Sequence, residues 1–380
     1  MMKRLIPIFL TLCLLLAACT STPAISTDPI DSTPTTQATE PPSGVQQLDI
    51  SAISMPAVTE TISDDRNEIF RFTHQDISLF IPDPGVAEKI FIDFGYRQDQ
   101  HYAAAENIHD LAMEMYDGNE WSPYLYSALY DPMRIDENVL SLAGTVASWS
   151  GGSHPNYNCV YANYDMVTGD AMTLGSILTH KDKAADLGAL LIDAIAQIQE
   201  EKSIWSDYVN YIEKRFAADI SYDDAWYFDA NGLCFRFTPY EIAPYSSGII
   251  TVTIPYSKLT GIIEDNYFPM EQQPMEGSLQ INPMESVTID TFSQFAELVL
   301  DKEGARILLS TDSILYNVCI RQVGGPNYIA LRAATLTPGD AILVQADFEN
   351  TELMVEYTAN ETVYQKYIVV SGNDINLVSE

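Results

Sequence analysis

In the run "GIITVTIPYSKL", Ile250, Val252 and Ile254 alternate with Thr251, Thr253 and Pro255. Successive side chains of a strand point to opposite faces, so this period of two suits a half-buried strand and excludes an amphipathic helix. The same alternation marks "ENVLSLAGTVASW", with Leu140, Leu142 and Val146 on one face and Ser141, Thr145 and Ala147 on the other. "YNCVYANYDM" follows as a second strand that turns at "VTGD", and "AWYFDANGLCFRF" is a hairpin with Asn231-Gly232 at its tip. Upstream, "EIFRFTHQDISLFI" is strand-like and closes at "PDPG", and "KIFIDFGY" adds an apolar run. The chain must therefore build sheets first and cover them second.

Helices supply the cover. "QHYAAAENIHDLAMEMYDG" consists of helix formers and ends in Asp117-Gly118. A second helix is expected over 182–216, with Leu187, Leu190, Leu191, Ala194, Ile195 and Ile198 on one stripe. Burying each large side chain is worth about 1.5–3 kcal/mol, so this stripe belongs against a sheet. Residues 270–285 are polar with prolines and read as a linker. Beyond it, short strands recur between the turns "TPGD", "ENTE" and "SGND", with one short helix expected at "FSQFAELVLD". The expected fold class is α+β over 65–269, a sheet with packed helices, followed by a small all-β, sandwich-like domain over 286–380.

The start of the chain sets its address. Lys3 and Arg4 precede an apolar run from Leu5 to Leu16 and the small residues Ala17 and Ala18. The run is shorter than the ~20 residues a spanning helix needs, which marks residues 1–18 as an export signal. "LAAC" resembles the cleavage box of bacterial lipoproteins, with Cys19 carrying the lipid. Two acyl chains anchor stably where one binds reversibly. The expected location is the outer face of the cytoplasmic membrane, with lipid as the only membrane attachment. Residues 19–64, rich in Thr, Ser and Pro, carry no hydrophobic period and are expected to be a disordered tether.

Charge narrows the partners. There are 53 acidic against 19 basic residues, a net charge of −34. Nucleic acid would be repelled, whereas cationic proteins would be drawn in. The mature chain keeps Cys159, Cys234 and Cys319, an odd number in apolar runs, with a Cys159–Cys234 bridge left open. No Cys-x-x-Cys or His-Glu-x-x-His spacing occurs, so no metal or cofactor is expected.

Two loops carry the candidate ligand-binding residues. In "WSGGSHPN", Gly151 and Gly152 permit positive φ and Pro155 presses His154 into extended backbone. A hairpin turn accounts for all of this. The functional alternative is a recognition loop presenting Trp149, His154 and Tyr157, because aromatic tips supply contact area at low entropic cost. In "PYEIAPYSSG", Tyr240 and Tyr245 flank prolines and Glu241 can accept hydrogen bonds. No Ser–His or paired-histidine arrangement forms a catalytic set, and Asp223–Asp224 and "DANG" lack the ligand spacing of a calcium loop.

Taken in order, "VLSLAGTVASWSGGSHPNYN", "YDMVTGDAMTLGSIL" and "GLCFRFTPYEIAPYSSGIITVTIPYSKL" resemble the extracytoplasmic domain of RsiV-type anti-sigma factors. The same domain family, of largely unknown function, accompanies PdaC-type peptidoglycan deacetylases. The likeness spans about residues 137–263. It implies an α+β recognition domain, with lysozyme binding in the RsiV type. No histidine follows His180, so the C-terminal region lacks the ligands of the deacetylase metal domain. The expected function is a lipid-anchored binding protein for a cationic protein such as lysozyme or for a cell-wall glycan. The alternatives are a cell-wall hydrolase using Glu241, Asp223 or Asp224, and a structural, partner-docking lipoprotein.

Overall fold

A computed structural model describes residues 46–47, 50–217, 226–269, 279–283, 292–323, 328–359, 362–371 and 374–379. The expected signal over 1–18, Cys19 and the pair Asp223–Asp224 lie outside the described residues. The chain begins with β1 (Gln46–Gln47), β2 (Ile50–Met55), β3 (Ala57–Ser63), β4 (Glu68–Gln75), β5 (Ser78–Phe80) and α1 (Pro84–Met115). It continues through β6 (Tyr124–Ile135), β7 (Val139–Trp149), β8 (Asn156–Asp165), α2 (Lys183–Ile198) and α3 (Tyr208–Ala217). Then come β9 (Trp226–Phe228), β10 (Gly232–Phe237), β11 (Ile250–Pro255), β12 (Leu279–Pro283), β13 (Gln294–Val299) and β14 (Ala305–Thr311). The last strands are β15 (Leu315–Gln322), β16 (Tyr328–Leu336), β17 (Asp340–Ala346), β18 (Leu353–Ala359), β19 (Thr362–Ser371) and β20 (Asp374–Val378). Strands dominate, with three α-helices among the described residues.

The first layered body stacks a helix, two sheets and two helices. Its five-stranded sheet has the order β3-β4-β6-β7-β8, with only β4 and β6 parallel. Helix α1 starts where Asp83 Oδ1 accepts from Gly85 N at 2.8 Å and Val86 N at 3.3 Å, with Pro84 in the first turn. It buries Val86, Ile90, Phe94, His101, Ala105 and Ala112, a three-to-four spacing that lays one stripe on the sheet. The run "KIFIDFGY" is thus part of this helix, which begins at Pro84 and not near Gln100.

On the opposite face lies the three-stranded sheet β11-β10-β9. Phe228 N donates to Ser141 Oγ at 3.1 Å, and Asn163 Nδ2 donates to Trp226 O at 2.9 Å. Trp226, Phe228, Leu233, Phe235, Ile250, Val252 and Ile254 turn the other way, into a core shared with α2 and α3. The alternation in "GIITVTI" is therefore realised as expected, as is the hairpin at Asn231-Gly232. The single helix expected over 182–216 is two helices. Residues 199–207 reverse the chain, with Ser203 at φ 54°, so that Ile212 and Phe216 join the core of Leu187, Leu191 and Ile195. Gly188 makes the approach possible, since a Cβ there would meet the Phe216 Cβ at 2.9 Å.

The second body is a sandwich. One sheet has the order β1-β13-β17-β14-β12, and the other β20-β19-β18-β15-β16-β2-β5. Leu298, Ile307, Leu309, Ile342 and Val344 of the first meet Val318, Ile320, Leu331, Ala333 and Val355 of the second. The segment expected as a short helix, "FSQFAELVLD", is strand β13, parallel to β17 from Gln294↔Asp340 to Val299↔Gln345. Both of its faces are covered: Phe295 sits in one cluster while Ala296 and Leu298 sit in another. A strand buried on both sides loses the period of two and resembles a helix in sequence.

Two further expectations are corrected. The tether expected over 19–64 does not include residues 50–63, which form β2 and β3. Strand β2 pairs with β16 from Met55↔Tyr328 to Ile50↔Ala333, far along the chain, and its Ile53 and Met55 pack against Ile90 and Phe94 of α1 and Leu140 and Leu142 of β7. The linker expected over 270–285 contains β12, which pairs with β14. No helix of the described residues is long and apolar enough to cross a membrane.

Candidate functional site

The two loops singled out in the sequence meet. The turn between β7 and β8 carries Gly151 at φ 98° and Gly152 at φ 102°, the left-handed region that disfavours any side chain. These glycines let the chain fold back so that Ser148 pairs with Asn156 and Ala147 with Tyr157. Beyond them His154 lies face to face with Tyr245, ring centroids 3.9 Å apart and planes 27° apart. The Tyr245 hydroxyl donates to Pro155 O at 3.0 Å, tying the β10–β11 connection to the β7–β8 turn. Tyr240 and Tyr157 lie 5.8 and 6.2 Å from the Tyr245 ring, at 36° and 32°.

Four rings thus gather, His154 stacked on Tyr245 and Tyr157 and Tyr240 tilted against it. Tyr240 is 59% exposed and holds φ 72°, a conformation costly for a tyrosine. His154 Nδ1 donates to Pro155 O at 2.9 Å, since a carbonyl can only accept. That bond selects the tautomer and leaves Nε2 as the acceptor, with no partner among the described residues. Partial burial, helped by the neighbouring Tyr157 and Tyr240, raises the Tyr245 phenol above its ordinary pKa.

Two sequence candidates are placed elsewhere. Trp149 donates from Nε1 to Gly152 O at 3.2 Å and packs edge-on to Tyr124 at 5.8 Å. Tyr124 in turn leans on Trp121 at 4.9 Å, so Trp149 closes the edge of the core beneath α1. Glu241 points inward. Its Oε1 accepts from Arg215 Nη1 at 2.8 Å and from the Tyr211 hydroxyl at 2.5 Å. Its Oε2 accepts from Thr238 N at 2.8 Å and Thr238 Oγ1 at 3.2 Å. With four bonds received, it braces the loop that carries Tyr240 and Tyr245 and is committed away from acid–base work.

The remaining polar candidates are also accounted for. His101 bridges the hydroxyls of Tyr126 at 2.9 Å and Tyr130 at 2.8 Å, while His109 packs on Phe70 and bonds Asp110. In the turn "DANG", Asp229 Oδ1 accepts from Asn231 N and Gly232 N at 2.8 and 2.9 Å, an ordinary hairpin cap. Cys159, Cys234 and Cys319 are free thiols, so Cys159 and Cys234 are not bridged. Among the described residues no three His, Cys, Asp or Glu side chains converge as a metal site. Arg215, Tyr211 and Thr238, which hold Glu241, were not legible as functional; only the basic end of α3 hinted at them.

Comparison with known proteins singles out one segment. Residues 178–257 match a family described as a protein of unknown function, DUF3298. The matched segment runs from the approach to α2 to the end of β11 and so contains Tyr240, Glu241 and Tyr245, whereas the His154 turn precedes it. A crystal structure of a DUF3298 family member from Bacteroides fragilis NCTC 9343 is similar at 18% identity and a TM-score of 0.43, over 56% of this chain and 94% of that one. A DUF3298 family protein from Pseudomonas aeruginosa PAO1 is similar at 17% identity and 0.41, over 58% and 97%. No curated protein matches the chain.

Proposed function

We propose that this chain is an extracytoplasmic binding protein, held on the outer face of the cytoplasmic membrane by lipid on Cys19. It takes a cationic protein on the surface of His154, Tyr157, Tyr240 and Tyr245. The observation that carries the reading is the His154–Tyr245 stack, in which two loops distant in sequence present ring faces beside the exposed Tyr240. Such rings supply contact area with few rotamers to freeze. The net charge of −34 would speed encounter with a cationic partner and discourage an anionic one. Lysozyme is the partner that the likeness to RsiV-type domains suggests.

Immobilised protein challenged with lysozyme at rising salt tests the reading. Capture at low salt that weakens with ionic strength, and that falls in Tyr245→Ala and His154→Ala, supports it. Absence of capture at low salt sinks it, and release of fragments from peptidoglycan would favour a hydrolase instead. Retention on insoluble peptidoglycan without capture of lysozyme would replace the protein partner by a wall glycan.

A further inference from the structure

A second, unrelated site lies between the layered body and the sandwich. A cavity of about 1300 Å³ is bounded on one side by the end of β6 and its turn (132–138), the hairpin tip at Asn231, and residues 255–269. The other wall is the seven-stranded sheet, through Asn317, Cys319, Arg321, Glu356, Thr358 and Val363. Volumes of a few hundred to a thousand Å³ at the junction of two bodies are the usual seats of small ligands, and this one also has room for water.

The sheet wall follows from strand register. Asn317, Cys319 and Arg321 alternate with Val318 and Ile320, which enter the sandwich core. Cys319 faces Glu356 across the β15–β18 pair, and Glu356 faces Gln365 across β18–β19. The polar side of this sheet would normally face water. Toward β2 the same side is dry, with Ile53, Met55 and Ala330 packed against α1 and β7. Toward β18 it opens into the cavity instead.

The charges on the walls are unequal in their commitments. Arg134 is largely committed: Nε donates to Asp136 at 2.5 Å and Nη1 to the Tyr256 hydroxyl and Tyr267 O at 2.6 and 2.7 Å, while its buried Nη2 has no hydrogen-bond partner among the described residues. Glu137 is spent on Arg332, which also donates to Asn317. Arg321 forms no ion pair among the described residues. Among the described residues Glu356 receives a single hydrogen bond, from Gln365 Nε2 at 2.7 Å; burial raises its carboxyl above the usual range, against the opposing pull of that bond and of Arg321. Asp265 lines the facing wall, and among the described residues its carboxylate has no hydrogen bond or ion pair. Arg321, Glu356 and Asp265, with Nη2 of Arg134, are therefore available to a ligand.

We infer that this cavity binds a small zwitterion, an amino acid or short peptide, with its carboxylate on Arg321 and its ammonium on Glu356 and Asp265. A planar guanidinium matches a carboxylate in two parallel bonds. Met133, Tyr256, Phe268 and Val363 add apolar surface to the lining for a side chain. The inference does not depend on the aromatic loops.

Calorimetry with the full chain and dialanine, N-acetyl-dialanine and dialanine amide tests it. Dialanine should bind, and each cap should weaken binding by about tenfold or more, the scale of losing one desolvated charge partner. Arg321→Gln should erase the preference for dialanine over its amide, and Glu356→Gln the preference over the acetylated form. The caps alter only the ligand, so they report even if a variant folds poorly. Failure of dialanine to bind, equal affinity for the capped forms, or folded variants that keep both preferences would overturn the inference. His154→Ala should leave dialanine binding untouched, which separates failure here from failure of the aromatic surface.

Discussion

Two histidines are each held by tyrosine, and they are held for different ends. His101, on α1, is 8% exposed and spends both ring nitrogens on the hydroxyls of Tyr126 and Tyr130. His154 offers its ring face to Tyr245 and bonds through Nδ1, with Nε2 unpartnered among the described residues. The first is a satisfied core histidine whose bonds fix the distance between helix and sheet. The second has an unspent acceptor and lies in a turn that two glycines shape. Aromatic company alone therefore does not mark a recognition residue.

The largest expected effect lies at the buried member. His101→Ala leaves two buried tyrosine hydroxyls without partners and opens a cavity, at a cost of about 3 kcal/mol in chemical denaturation. A loss below about 1 kcal/mol would mean the hydroxyls find other partners and the contrast fails.

Next comes pH. Burial first, and Arg97 second, lower the His101 pKa from 6.5 to about 4. The unfolded chain then takes up a proton that the folded chain refuses. Stability from this group is complete above pH 6.5, declines as pH falls toward 4, and levels off below. The loss is on the order of 3 kcal/mol. His101→Gln should flatten that part of the pH profile relative to the parent chain, measured as denaturation midpoints at matched pH. An unchanged profile would show that carboxylates alone set the acid response.

The smallest effect belongs to the surface member. His154→Ala should change stability by no more than about 0.5 kcal/mol, in line with an exposed turn. The same variant should reduce capture of a cationic protein. A large drop in melting temperature would instead make the stack a structural clasp.

Local alternation was readable wherever one face of a strand meets a core, as in β7, β8 and β11. It failed where a strand is held by a distant neighbour: β2 reads as polar tether because Ile53 and Met55 gain their cover from α1 and β7 only once the strand lies between β16 and β5. β13 failed for the opposite reason, since cover on both faces erased its period. At the candidate site the residue types were legible but their roles were divided. His154, Tyr157, Tyr240 and Tyr245 come together, whereas Trp149 and Glu241 turn inward to hold the loops. Nothing in "PYEIAPYSSG" announces Arg215, because the ion pair exists only once α3 packs beside that loop. The cavity wall was hidden likewise: Asn317, Cys319 and Arg321 show as a polar stripe, and only the facing body makes the stripe a site.

The place of β2 between β16 and β5 has a consequence for how the molecule comes into being. Residues made near the beginning must wait for a neighbour made near the end, so this sheet closes late and through one of the longest loops the chain can form. A product truncated before Tyr328 would keep α1 and its sheet yet carry an open strand edge at Ile50–Met55, a ready seed for pairing between copies.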